Sequence, residues 1–353
     1  MDTPNRKNAN AAGGRPGKSR AVSAGKRAGQ PAAAKRAVRK RDNGSAGSER
    51  GCIVVLGMHR SGTSTLTRML SLMGATLPKR LMGRGEGNET GHWEPQRLVD
   101  YHDQMLSELG SAWHDWRPLD LKALPVSRRA TMKADIGDIL HEDFGDAPLI
   151  VVKDPRICRF ASFFCQAATE AGYEVKLVLA FRNPLEVMDS LLARKSAWPP
   201  DHDELDAALL WLIHNLEAEK ASRNYPRAVI SYDRLMSDWE KPLSGAAQTL
   251  GYPFSSLPGD VKADISAFVD EGHRHHAKKP EDVLLDPRTA GWIADCHVAL
   301  TTLETGRDVN RAMAELDRIG AEFSGALPLL RQAVELRRNE AARKGELEVS
   351  LTR

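Results

Sequence analysis

Cysteine is scarce. The 353 residues include four, Cys52, Cys158, Cys165 and Cys296, and no two have CxxC spacing. A chain this long does not need disulfides to hold a core, so the sequence fits a reducing, cytoplasmic setting. No run of about 18 apolar residues occurs, so no membrane span is expected. The first residues carry no apolar h-region, so a secretory signal is not expected either. The folded part also lacks excess positive charge. Residues 1–50 hold 13 Lys/Arg and three Asp/Glu, a net +10, whereas the remaining 303 residues hold 37 and 44, a net −7. Any anion site in the body must therefore be built locally from a few aimed basic groups.

Residues 1–50 consist largely of Ala, Gly, Ser, Pro, Lys and Arg. Such a segment buries too little apolar surface to offset the entropy of ordering, and it reads as a disordered basic tail. It is either a solvated extension or a weak contact for anionic surfaces. Beyond it, short apolar runs at 52–57, 149–152, 176–180 and 228–232 read as strands buried on both faces. Helical patterns separate them. One is the stripe Leu205, Ala208, Leu209, Leu212, Ile213 and Leu216. This alternation predicts an α/β fold with a central parallel sheet covered by helices in three layers, and ligands at the carboxyl ends of the strands. After about residue 255 the pattern is helical, with amphipathic segments at 290–320 and 324–346. The expected organisation is the tail 1–50, a main domain 51–280 and a helical C-terminal extension 281–353.

The first strand runs into Gly57-Met-His-Arg-Ser-Gly-Thr-Ser64, and a helical pattern follows. Strand, glycine loop and helix form the P-loop context, in which backbone N–H groups and a helix N-terminus face a phosphate. The position after Gly62 holds Thr63 where a nucleotide triphosphatase has Lys. A cation, Arg60, instead precedes Ser61-Gly62-Thr63-Ser64. This suits one phosphate bonded to a sulfonate better than a triphosphate. A second anchor follows the third strand, where Phe181-Arg182-Asn183-Pro184 opens a helix carrying Ser190. A guanidinium and a hydroxyl converging there suit a terminal phosphate.

Arg60-Ser-Gly-Thr-Ser64 resembles the 5′-phosphosulfate loop of sulfotransferases that use 3′-phosphoadenosine 5′-phosphosulfate (PAPS). The longer string from Gly57 resembles a bacterial branch of that family often linked to glycan modification. Arg182 and Ser190 match the family's 3′-phosphate site in type and spacing. The resemblance spans roughly residues 52–280. It implies a P-loop sulfotransferase domain that binds PAPS through Arg60, Ser61, Gly62, Thr63, Ser64, Arg182 and Ser190 and releases adenosine 3′,5′-bisphosphate. The acceptor would be a hydroxyl or amine, on a saccharide, a lipid-linked glycan or another small metabolite.

Phe268-Val-Asp-Glu-Gly-His-Arg-His-His276 resembles a late family element, in which Arg274 would close over the nucleotide. Its three histidines lack a second ligand cluster, so no metal is expected. Related enzymes use Glu or His as general base, and here Glu94 is the first candidate and His92 the second. Glu94 also stands where it would cap the helix opened by Pro95. Lys153-Asp154-Pro155-Arg156 leaves the second strand's carboxyl end and is similar to a family element. Lys153 and Arg156 would shape the transferred sulfonate or an anionic acceptor, or Asp154 and Arg156 would pair to fix the loop. Tyr232-Asp233-Arg234-Leu235 resembles a structural strand-to-helix segment. Trp93, Trp113 and Trp116 would line a sugar pocket or pack in the core. The rival readings are a small-molecule P-loop kinase and a non-catalytic nucleotide-binding family member.

Overall fold

Strand β1 (Arg50–Leu56) is apolar on both faces because both faces are covered. Cys52, Val54 and Leu56 point into one core and Ile53 and Val55 into another, all fully buried. In the computed structural model, which describes residues 50–83, 85, 91–194, 197–251, 258–270, 278–279, 281–289 and 291–351 (without the side chains of 270, 341 and 344–351), β1 lies inside a four-stranded parallel sheet. The others are β2 (Leu149–Lys153), β3 (Tyr173–Phe181) and β4 (Arg227–Ser231), in the order β2-β1-β3-β4. All three ladders are parallel, with Val55 opposite Lys153, Leu56 opposite Leu179 and Phe181 opposite Ser231.

The helices are α1 (Thr63–Leu72), α2 (Gln96–Glu108), α3 (Val126–Phe144), α4 (Ala161–Glu170), α5 (Pro184–Leu192), α6 (Glu204–Ser222), α7 (Tyr232–Ser237), α8 (Glu240–Leu250), α9 (Gly259–Asp270), α10 (Asp282–Leu285), α11 (Trp292–Thr305) and α12 (Val309–Leu351). Residues of α2, α3 and α4 close one face of the sheet, and residues of α1, α8 and α9 close the other. The architecture is thus a three-layer α/β fold. The strand after β1 lies on one side of it and the next strand on the other. The crevice at the carboxyl ends of β1 and β3 is therefore a topological switch point, where such sheets bind ligands.

The apolar stripe expected along 205–216 is only part of α6. Trp211, His214, Asn215 and Glu219 on its remaining faces are buried as well. The reason is a further cover of helices. Ala312, Leu316, Ile319 and Phe323 of α12 repeat at helical spacing, and with α11 they share one core with α6. The polar groups trapped between are partnered. Asp206 accepts from Trp116 Nε1 (2.9 Å) and pairs with Arg337 and Arg338 of α12. Glu219 pairs with Arg223 and Arg227. Residues 47–353 accordingly form one compact unit that includes α11 and α12. Among the described residues no helix is long and apolar enough to cross a membrane.

Phe323 is 2% exposed in the α6–α12 core. Phe323→Ala is expected to destabilise the fold by about 3–5 kcal/mol. Denaturant unfolding of both proteins checks this, and a loss well below that range would mean α12 is not integral to the core.

Candidate active site

The turn after β1 needs backbone geometry that few residues tolerate. Arg60 (φ 68°) and Gly62 (φ 77°) both lie in the left-handed region. For a non-glycine residue this conformation costs about 1–2 kcal/mol, a cost concentrated at functional sites. A side chain at Gly62 would meet Tyr232 Cδ2 at 2.1 Å. One at Gly57 would meet the Ala180 carbonyl oxygen at 2.4 Å, because β3 runs alongside. Gly62 is the N-cap of α1 and contributes no side-chain acceptor, so the first turn of α1 has no side-chain cap. Cys158, fully buried, accepts a hydrogen bond from the Gly57 N–H at Sγ (3.1 Å). Burial pushes its thiol up to about 12, so it is a neutral acceptor and not a nucleophile.

The carboxyl ends of all four strands meet this loop. A solvent-open cleft of about 690 Å³ is lined by His59, Arg60, Gly62, Thr63, Ser64, Thr65, His92, Glu94, Lys153, Pro155, Arg182, Arg194 and Tyr232. Lys153 is the last residue of β2, Arg182 follows β3, and Tyr232 follows β4. The two sequence motifs touch. Arg60 Nε donates to Ser190 Oγ at 2.8 Å, and Arg182 Nη1 donates to the Arg60 carbonyl at 3.2 Å. Asn183 caps α5 by accepting from the Leu185 N–H, with Pro184 in the first turn, and this sets the helix that presents Ser190. Arg182 is further held by Glu186 (2.5 Å), a fully buried carboxylate, and its guanidinium stacks 4.5 Å over the Tyr232 ring.

Not every candidate residue lines the cleft. Ser61 is buried beside it, its Oγ without a hydrogen-bond partner among the described residues. Ser190 reaches the cleft through Arg60. Arg156 does not line the cleft; Asp103 (2.5 Å) and Asp154 (3.0 Å) grip it, the pairing that the loop-fixing reading expects. Arg274 lies outside the described residues. Trp116 is core, and Trp113 packs against His59 with ring centroids 4.9 Å apart. Trp93 lies under the Arg68 guanidinium.

Glu94 does not cap α2. Pro95 holds the cap position, and the Glu94 carboxylate turns into the cleft, where Oε1 accepts from Lys153 Nζ at 2.6 Å. Lys153 also donates to Ser64 Oγ at 3.1 Å, which ties β2 to the phosphate loop. Burial raises the Glu94 pKa above its ordinary value, and the Lys153 ammonium opposes that rise. His92 moves the other way. Burial, then Lys153, Arg194 and Arg60, pull it down to about 4, so it is neutral at pH 7.

The sequence reading missed His59, Arg194 and the position of Tyr232. Arg194 follows Ser190 by four residues, just beyond the end of α5, in a turn where its N–H donates to the Leu191 carbonyl at 3.0 Å. Its Nε is buried without a hydrogen-bond partner, and it has no carboxylate partner among the described residues. His59 was visible only as the neighbour of Arg60. Among the described residues no group of three or more His, Cys, Asp or Glu side chains is placed to hold a metal ion.

No family model matches the chain, and no curated protein matches it either. Among solved structures, it is similar to the sulfotransferase domain from the Synechococcus PCC 7002 olefin synthase at 17% identity, TM-score 0.36, over 68% of this chain and 93% of that one. It is similar also to the sulfotransferase domain from the curacin biosynthetic pathway at 16% identity, TM-score 0.38, over 78% and 98%. At such scores these likenesses carry no argument, and the fold rests on the chain's own sheet order and packing.

Two outcomes follow from this geometry. Gly62→Ala is expected to destabilise by about 2 kcal/mol or more, from left-handed strain and the clash with Tyr232. Thermal unfolding should show a smaller cost in a Tyr232→Ala background. An unchanged cost would leave backbone strain as the sole cause. The second outcome concerns acid. Burial holds His59 well below its usual range, His92 and His297 at about 4 and His214 at about 3. Unfolded imidazoles protonate near 6.5. Each therefore contributes stability that is complete above about pH 6.5 and lost as the pH falls toward 4, because the unfolded chain then binds more protons. The melting temperature should fall between pH 7 and pH 5, and less so in His214→Asn. Parallel curves for the two proteins would exclude His214 from the effect.

Proposed function

We propose that this chain transfers a sulfonate group from PAPS to a hydroxyl or amine of an acceptor such as a saccharide or lipid-linked glycan. The observation that carries the reading is the contact of Arg60 with both Ser190 (2.8 Å) and Arg182 (3.2 Å). It unites a loop suited to a 5′-phosphosulfate with an Arg–Ser pair suited to a 3′-phosphate, 122 and 130 residues further along the chain. ATP carries no 3′-phosphate, and Thr63 replaces the lysine a kinase loop would use. Lys153 approaches the loop from β2, but Glu94 already neutralises it. The donor set fits the ligand. The α1 amides and Arg60 suit the 5′-phosphate and the sulfonate. Arg182, Ser190 and Arg194 suit the 3′-phosphate.

In the proposed step the acceptor oxygen or nitrogen attacks sulfur in line with the bridging oxygen. The new bond to sulfur forms as the bond from sulfur to the bridging oxygen breaks, and that electron pair stays on the 5′-phosphate of the departing adenosine 3′,5′-bisphosphate. Arg60, the amides of Gly62–Ser64 and the hydroxyls of Thr63 and Ser64 stabilise the growing charge. Arg60 stabilises charge and does not supply a proton, since guanidinium stays protonated. The acceptor's proton passes to Glu94. Of the two candidate bases, the one whose pKa is raised holds the proton better than His92, whose pKa is lowered to about 4. Protonating Glu94 also removes the counter-charge from Lys153, and the ammonium then turns to the transferring group.

Titration calorimetry with adenosine 3′,5′-bisphosphate and adenosine 5′-monophosphate tests the reading. The wild type should prefer the bisphosphate by about 3 kcal/mol, roughly 100-fold. Arg182→Ala alone would leave Glu186 buried without its cation, a cost of about 3–5 kcal/mol. The informative variant is therefore Arg182→Ala/Glu186→Gln, which should lose most of the preference and keep its affinity for the monophosphate. Equal affinities in the wild type would overturn the assignment and leave the kinase reading in front. Arg60→Ala should lower turnover of labelled PAPS by at least about 100-fold, and near-normal turnover would remove Arg60 from the step.

A further inference from the structure

Behind the cleft an imidazole and four charged side chains form an unbroken line from the middle of α2 to the phosphate loop. His102 and Asp154 are both fully buried, with His102 Nδ1 2.8 Å from Asp154 Oδ2. The carboxylate can only accept, so Nδ1 carries the proton. Asp154 Oδ1 accepts from Arg156 Nη1 at 3.0 Å. The same Nη1 stands 3.8 Å from Glu94 Oε2, and Glu94 Oε1 meets Lys153 at 2.6 Å. Lys153 reaches Ser64 Oγ of the loop. Phe160 and Phe164 pack edge-on against the His102 ring at 4.9 and 5.7 Å and fix its plane.

The bland account is a core histidine that satisfies a buried aspartate. The placement of α2 says more. Glu94 lies just before the cap of α2, and two turns later the neighbours His102 and Asp103 take Arg156 from two sides. Asp103 grips it directly (2.5 and 3.1 Å), and His102 grips it through Asp154. One helix and the residue just before its cap thus carry the groups that hold Arg156 and the cleft carboxylate for which Arg156 is the second cation. Burial would raise the Asp154 pKa, but Arg156 and His102 hold it well below the ordinary range, so Asp154 is a fixed charge between them.

We infer that His102 is a positioning residue which, through Asp154 and Arg156, fixes where Glu94 meets Lys153. The inference rests on the proposed transfer for its catalytic meaning, since Glu94 is the base there. Without the Nδ1–H, Asp154 draws Arg156 toward itself and away from Glu94. Glu94 then loses cationic support, and its affinity for a proton rises.

The test compares His102→Leu with His102→Asn, whose Nδ2 can stand where Nδ1 stood. Three quantities are read, namely release of labelled sulfate from PAPS with water as acceptor, affinity for adenosine 3′,5′-bisphosphate, and the titration midpoint of Glu94 by carbon-13 NMR of glutamate-labelled protein, assigned with Glu94→Gln. Water in the acceptor's place takes the sulfonate and gives up one proton to Glu94 in the step, and the hydrogensulfate formed loses its second proton to solvent as sulfate. His102→Leu should slow sulfate release by about 10- to 100-fold, the scale of a small misplacement of a reacting group. Its bisphosphate affinity should be unchanged and its Glu94 midpoint higher. His102→Asn should restore both rate and midpoint. Equal loss of rate in the two variants with an unmoved Glu94 midpoint would overturn the inference and leave His102 as core filling. If His102→Leu does not fold, Asp154→Asn takes its place with the opposite shift expected, a lower Glu94 midpoint, because Arg156 is then released toward Glu94 and the Asp154 charge beside it is gone. If the wild type neither prefers the bisphosphate nor releases sulfate, the proposed transfer falls. The Glu94 midpoint then still decides whether His102 positions the pair.

Discussion

The parallel pairing of β1 with β3 is the constraint from which the cleft follows. It places Leu56, the last residue of β1, opposite Leu179, so the loop from Gly57 runs alongside the final residues of β3 toward Arg182. The strands come so close there that the carbonyl of Ala180 occupies the space a side chain on Gly57 would need. With β2 on its other edge, β1 sets Lys153 beside the same loop. Three motifs distant in sequence become neighbours because of the registers of two ladders that share β1.

The electrostatics follow the same local logic. The body as a whole is acidic, yet Arg60, Lys153, Arg182 and Arg194 converge on the cleft. Two of these cations are held by buried carboxylates, Glu94 and Glu186, which fix their positions and reduce the charge they project. Removing a charge from water is costly unless it is paired, so such pairs hold side chains in place more than they add stability. Arg60 is held differently, by a neutral hydroxyl and by a backbone conformation that costs energy.

Much of this was legible in the sequence. The four strands fall where the apolar runs predict them, within a few residues, because doubly covered strands have no polar face to blur the pattern. The glycine loop, Lys153 and Arg182 all sit at strand ends, where sequence order alone points to the ligand side. What the sequence could not show was the second side of each contact. Arg156 looked like a cleft cation, but two aspartates claim it, one of them on a different helix. Glu94 could be read as a base or as a cap, but Pro95 takes the cap position of α2 and the carboxylate finds Lys153. Arg194 stands four residues after Ser190, just beyond the end of α5, a position that gains meaning only when it is seen to line the cleft with Arg60. α6 showed one apolar stripe, while its other faces are buried by α11 and α12, about which the stripe says nothing.

The ring of Tyr232 under Gly62 has a consequence for how the molecule assembles. That ring follows β4, the last strand in the sequence, whereas Gly62 belongs to the turn after the first. Parallel ladders join segments distant along the chain, and such long-range closures come slowly in folding. The phosphate loop can form its turn once β1 is in place, but its floor arrives only when β4 has docked beside β3. A chain stopped short of Tyr232 would retain the loop and its glycines with nothing beneath them, so the ability to grip a ligand should appear late in folding, with the final strand.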